Sequence, residues 1–201
     1  ASDVYKRQSM PSFIEHLSHT TRSYRRFRSI YRVPEGHMKK WVDNTRYTAS
    51  AKNLQPLRYR IVSDREMCAK VYDTLAWAGY LTDWEGPEEK ERPTGYIVMA
   101  VDTEVSSVQA AQIDMGICAQ TIMLASTEEG FGGCMIMSFN KQQLKEILEM
   151  PENLEPVLVL ALGKPCEEVC IVDMEDDDVK YYRDENQVHY VPKRSFDSIM
   201  F

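Results

Sequence analysis

No run of 18 apolar residues occurs in this 201-residue sequence, which excludes a membrane-spanning helix of ordinary length. The longest apolar region, Val108 to Ala125, is broken by Gln109, Gln112, Asp114 and Gln120. Positive charge is also in short supply. The 24 Lys and Arg stand against 31 Asp and Glu, a formal net charge of −7. That argues against general binding of DNA or RNA, which runs on phosphate neutralisation. The opening ASDVYKRQSM lacks the apolar core of a signal peptide. Residues 1–9 are expected to be an expression or assembly scar, leaving 10–201 as a single domain that starts at Met10. Cysteines number five, Cys68, Cys118, Cys134, Cys166 and Cys170. An odd count without a signal peptide points to reduced thiols and a cytoplasmic location. Cys166 and Cys170 have no second pair beside them, His16 and His19 are only a pair, and the acidic run at 175–178 lacks calcium-loop spacing. No metal site is therefore expected. Also absent are a Gly-x-Ser-x-Gly elbow, a P-loop and a Gly-x-Gly-x-x-Gly fingerprint.

What is present reads as an α+β chain. A short helix is expected over 12–18. A second follows from Pro34, with Met38, Trp41, Val42 and Thr45 recurring at helical spacing, and ends near Pro56. LRYRIV alternates as a strand. DREMCAKVYDTLAWA reads as a third helix capped by Asp64, with Met67, Val71 and Leu75 on one face. The polar, aromatic-bearing stretch from Gly79 to Gly95 is a long loop of the kind that is often functional. YIVMAVD is a buried strand. Ser106 or Ser107 is expected to cap a long helix that runs to Glu129 and is closed by Gly130. That helix is apolar on two faces: Ile113, Ile117 and Leu124 on one, Met115, Cys118 and Ile122 on the other. It is either central to the domain or shared with a second subunit. FGGCMIMSF is a strand, Asn140 caps a helix ended by Pro151, and EPVLVLALG is a further strand. The tail after it resists assignment. The order implies a central, mainly antiparallel sheet wrapped by helices.

Four segments could carry chemistry. TRSYRRF concentrates Arg22, Arg25 and Arg26, followed by Arg28, in an acidic protein. Guanidinium forks and the Ser23 hydroxyl suit a phosphate, and a solvated basic face fits the segment equally. SAKNLQP offers Ser50, Asn53 and Gln55 beside the small Ala51, and also reads as a helix end and turn. In GFGGCMIMS the glycines permit close backbone approach, and Met135, Ile136 and Met137 could cover a flat apolar ring; a plain core strand fits too. HYVPKR is a second basic element some 170 residues after the first, or a loosely ordered basic terminus.

In this order, from Met10 to Phe201, the segments resemble the FMN-dependent nitroreductase family. TRSYRRF resembles its Arg-Ser-x-Arg opening, SAKNLQP its Ser-x-x-Asn-x-Gln-Pro segment, and DMGICAQTIMLASTEEGFGG its helix and glycine turn; ALGKP and HYVPKR match as well. The resemblance implies an intertwined homodimer with FMN at the interface. Arg22, Ser23 and Arg25 would meet FMN from one subunit, with Lys193 and Arg194 joining at its phosphate. Ser50, Ala51 and Asn53 would come from the other, with Gln55 supporting. Ile136, Met137 and Ser138 would lie against the isoalloxazine. No catalytic side chain is implied: the flavin takes hydride from NAD(P)H and passes electrons to nitroaromatics, quinones or similar acceptors by a ping-pong route. Arg25 is the candidate for stabilising charge on the ring. Thr21 stands where many relatives carry a basic residue, Met137-Ser138 where some carry Glu-Gly, and Leu57 where Trp is frequent. The competing readings are a non-redox or regulatory flavin-binding protein, a specialised relative of the dehalogenase or flavin-destroying type, and a nucleic-acid module built on the arginine cluster.

Overall fold

The computed structural model describes residues 12–201; the scar expected at 1–9 lies outside the described residues. The elements in order are α1 (Phe13–Thr20), α2 (Glu35–Asp43), β1 (Leu57–Val62), α3 (Arg65–Tyr72), β2 (Gly95–Asp102), α4 (Gln112–Glu128), β3 (Gly132–Ile136), α5 (Lys141–Ile147), β4 (Leu154–Gly163), β5 (Val169–Asp173), β6 (Tyr182–Arg183) and β7 (His189–Lys193). Strands β1, β2, β4 and β3 form one sheet in that spatial order, with every pairing antiparallel. This is the α+β architecture expected.

Side-chain alternation explains the layering. Ile97, Met99 and Val101 of β2 and Leu158, Leu160 and Leu162 of β4 share one face, where they meet Met38 and Trp41 of α2 and Cys118 and Ile122 of α4. Tyr96 and Val98 with Val159 and Ala161 share the other, against Cys68 and Val71 of α3 and Leu144 of α5. Period two in the strands and 3.6 in the helices yields two cores around one sheet. Helix starts follow their caps. Ser12 and Glu15 form a capping box, Asp64 accepts from Met67 N at 2.9 Å, and Asn140 accepts from Gln143 N at 3.1 Å.

Four helix boundaries differ from expectation: the helix after Asn140 stops at Ile147, short of Pro151, and the other three each have a local reason. The helix at 34 stops at Asp43 and continues as a tight turn to Tyr47, where Thr45 and Thr48 hydroxyls donate to Val42 O and Thr45 O. The third helix stops at Tyr72 because the chain beyond it is recruited sideways. Ala76 N donates to Ser138 O, and Asn140 N donates to Thr74 O. The long helix starts at Gln112, after a separate turn in which Ser107 Oγ accepts from Ala110 N at 3.2 Å. The unassigned tail folds as a second sheet, ordered β5-β7-β6, with β5 and β7 parallel.

Candidate functional site

The arginine segment is pinned edge-on to β3. Tyr24 N donates to Gly133 O at 2.9 Å, and Ser23 bridges Gly133. A Cβ on Gly132 would sit 2.7 Å from the Tyr24 ring, and one on Gly133 would sit 2.2 Å from Ala161 O. These glycines therefore admit the arginine segment and the neighbouring strand. On its other side the segment joins the chain after β4, with Arg28 N donating to Lys164 O and Cys166 N to Arg26 O.

This placement sorts the arginines. Arg26 forms a two-pronged ion pair with Glu91, at 2.7 and 2.8 Å, which draws the Glu91 carboxyl below its ordinary pKa. Arg28 is exposed. Arg22 and Arg25 instead line a cavity of about 370 Å³ together with Ser23 and, from β7, His189, Val191 and Lys193. The ends of the chain thus meet at one site. The cavity abuts a second, of about 210 Å³, through the shared residues Arg25, Met135 and Tyr181; Ile136, Met137 and Ser138 line that second part.

Arg25 is buried and held on every side. Its backbone N–H donates to Glu167, a carboxylate whose side chain is fully buried and which also pairs with Arg183 at 2.9 Å. Its guanidinium lies 4.6 Å from the Tyr181 ring centroid, and Nη1 is 3.2 Å from His189 Nε2. Guanidinium only donates, so His189 Nε2 accepts and the ring proton sits on Nδ1. Burial, then the charges of Arg25 and Arg183, push the His189 pKa down to about 4. His189 Nδ1 and Arg22 Nε are both buried and without a partner among the described residues. Two orphaned donors beside Lys193 fit an acceptor-rich anion such as a phosphate.

The other expected residues fall as follows. Arg194 pairs with exposed Asp177 at 2.8 Å and does not line the cavity. The Ile136 side chain packs in the core beneath β3, whereas Met135 and Met137 are open to the cavity side, 37% and 65% exposed. Ser50, Ala51, Asn53 and Gln55 are not brought to the Arg22 cavity within one chain. Buried Asp114, in the first turn of α4, holds that loop by accepting from Ser50 Oγ and from Ala51 N at 3.1 Å. Lys52, Asn53 and Gln55 have φ of 52, 55 and 50°, so the loop is strained outward, with Ala51, Asn53 and Gln55 exposed. Sequence reasoning missed His189 and Tyr181, while Met135, offered there with Ile136 and Met137 as cover for a flat ring, does line the cavity. Strand alternation in HYVPK was the available signal for the first, since it puts His189, Val191 and Lys193 on one face and sends Arg194 to the other.

Comparison with known proteins fits this arrangement. The sequence model of the Nitroreductase family matches residues 19–164. A Bacillus subtilis (strain 168) protein named as an NAD(P)H nitroreductase, YodC, is 32% identical over 95 residues, which is 47% of this chain and 45% of that protein. The crystal structure of a nitroreductase family protein from Streptococcus pneumoniae TIGR4 superposes with TM-score 0.67 at 17% identity, covering 92% of this chain and 98% of that one. The NADPH:FMN oxidoreductase of Vibrio harveyi, solved with NAD+, gives TM-score 0.59 at 22% identity over 76% of this chain and 68% of that one. At these identities the two structural matches speak for the fold. The family match, spanning both the pinned arginine segment and the four-stranded sheet behind it, shows that this chain belongs to the nitroreductase family.

Proposed function

We propose that the chain is an FMN-dependent oxidoreductase that works as a homodimer. Membership of the family and the names of its relatives support an oxidoreductase in general. The observation that carries the finer reading is the meeting of Arg22, Ser23 and Lys193 with two orphaned donors at one end of a cavity whose other end is lined by Met135 to Ser138. Arg22, Ser23 and Lys193 would bind the FMN phosphate, with Arg22 Nε and His189 Nδ1 as further donors. Met135 and Met137 would cover the ring. Bound there, FMN supplies the redox chemistry, taking electrons from NAD(P)H and passing them to nitroaromatic, quinone or similar acceptors that use the cavity in turn. Arg25, locked by Glu167, Tyr181 and His189, would supply a fixed positive charge to the reduced flavin without having to reorganise.

The second subunit completes the reading. Along α4, Ile113 and Gly116 are exposed and Ile117 and Leu124 half-buried, an apolar stripe at helical spacing with no described residue within 4 Å of where a Gly116 Cβ would sit. A partner docked there would bring its Ser50–Gln55 loop, held by Asp114, toward the cavity. The test is direct. Ligand released by heat should co-elute with FMN, and the protein should oxidise NADH when a nitroaromatic is added. Release of FAD, or no flavin after reconstitution, overturns the reading.

A further inference from the structure

A separate cavity of about 580 Å³ is lined by Arg32, Arg65 and Arg92, with Cys68, Tyr72 and Tyr96 among its walls. The Tyr72 ring packs at a tilt against Trp77, with centroids 5.8 Å apart, and Trp77 faces the Met135–Ser138 cavity, so this aromatic pair divides the two sites. None of the three arginines forms an ion pair among the described residues; the arginine pairs found belong to Arg26, Arg46, Arg58, Arg183 and Arg194. Lys90 and Glu88 on the rim neutralise each other at 3.2 Å, which leaves Glu89 as the remaining carboxylate. The cavity is thus cationic in a protein of net charge −7.

Its inner wall carries unused donors. The Tyr96 side chain is fully buried and its hydroxyl has no partner among the described residues; Arg92 Nε is likewise buried and unpartnered among them. Burial raises the Tyr96 pKa well above its ordinary value, so the phenol stays a donor. Tyr72 differs, since its hydroxyl already donates to Pro87 O at 2.9 Å. Its ring supports Arg92, whose guanidinium carbon lies 3.9 Å from the centroid and is held flat. Arg32 is fixed by Ser63 O and Thr94 O. Leaving a buried hydroxyl and a guanidinium N–H unsatisfied is costly unless something with acceptor oxygens arrives.

We infer that this cavity is a second ligand site, for a small dianion of the phosphate-monoester class. Arginine forks match phosphate oxygens, and a phosphoryl group presents acceptors to several donors at once. A dicarboxylate such as succinate carries the same two charges, but spread over two separated planar groups instead of one compact group of three oxygens. The inference is independent of the FMN reading, because Arg65 and Tyr96 lie outside the Arg22 cavity.

Titration calorimetry on FMN-saturated protein, in zwitterionic buffer of low ionic strength, tests it with ribose 5-phosphate, inorganic phosphate and succinate. Both phosphates should bind, and succinate should bind at least about tenfold more weakly. Arg65→Gln, at an exposed position without an ion pair, should keep the fold and weaken ribose 5-phosphate about tenfold, the loss of one charged hydrogen bond. Tyr96→Phe separates ligation from packing. It should weaken binding while the unliganded Tm holds or rises, since an unsatisfied hydroxyl has been removed. No heat with either phosphate, equal binding of succinate, or unchanged binding in Arg65→Gln overturns the assignment.

Discussion

Arg25 Nη1 lies 3.2 Å from His189 Nε2, an interior contact between residues 164 positions apart that joins the two ends of the chain. It ties the pinned N-terminal segment to β7, and so decides which face of β7 looks into the cavity.

The contact has a pH signature. The unfolded chain takes up a proton on this imidazole near pH 6.5, while the folded chain refuses it until about pH 4. The unfolded state therefore binds more protons across that window, and His189 costs stability as pH falls from 6.5 to 4 and has no such effect above it. The loss should reach roughly 3 kcal/mol at most. Urea midpoints of wild type and His189→Gln should keep a constant gap above about pH 7 and change it below, with wild type losing more. A gap that does not move between pH 4 and 7 would show that His189 is not buried neutral.

Glu167 holds both the backbone and a charge. It accepts from the N–H groups of Arg25 and Arg26 and pairs with Arg183, which is almost fully buried. Glu167→Ala leaves that guanidinium buried and uncompensated, which should cost about 3–5 kcal/mol by chemical denaturation. Glu66→Ala, which removes an exposed pair with Lys70, should cost far less because water already screens it. Equal effects of the two substitutions would contradict this account of Glu167.

Arg22 and Lys193 should act on the FMN phosphate. Arg22→Ala and Lys193→Ala should each weaken FMN by about tenfold to a hundredfold, at roughly 1.5–3 kcal/mol per charged hydrogen bond. Exposed Arg28→Ala is the control. The double variant should depart from additivity if both side chains share one group. Riboflavin, which lacks the phosphate, should bind wild type and variants alike. Parallel loss of riboflavin and FMN would move both residues away from the phosphate.

The stripe on α4 tests the dimer. Ile113 is 73% exposed in the single chain, so Ile113→Arg should leave the subunit's own packing intact. It should instead break an interface expected to bury over roughly 2,000 Å². Light scattering at micromolar concentration should show a dimer for wild type and a monomer for the variant, with FMN affinity falling alongside. A monomeric wild type that retains FMN would remove the partner from the site.

Much of the fold was written locally. Ser12, Asp64 and Asn140 announce three helix starts because each cap side chain satisfies an N–H within its own turn. LRYRIV and YIVMAVD declare strands by composition and spacing alone. The family was legible for a related reason, since TRSYRRF, SAKNLQP and HYVPKR are short contiguous segments whose side chains keep their order along the chain.

Where helices stop was less legible. Leu75 belongs to a helical face by spacing, yet it bridges Phe139, a contact 64 residues away that no local propensity contains. Met137 and Ser138 reach the cavity rim, and Ile136 borders the same cavity while the pleat turns its side chain toward the core, a distinction that spacing along the chain does not carry.

The sequence by itself determined the strands of the central sheet, their binary patterning, most helix starts and the residue types available to an anion, because these depend on neighbours within a turn or a strand; the second sheet of the tail was not among them. Only the tertiary structure decided which cations face the cavity. Arg26 is spent on Glu91 and Arg194 on Asp177, while Arg22 and Lys193 stay with a cavity between them. Likewise, nothing in HYVPKR alone says that His189 is neutral. Its charge state follows from burial beside Arg25 and Arg183, and desolvation and like-charge repulsion exist only once distant segments have been packed together.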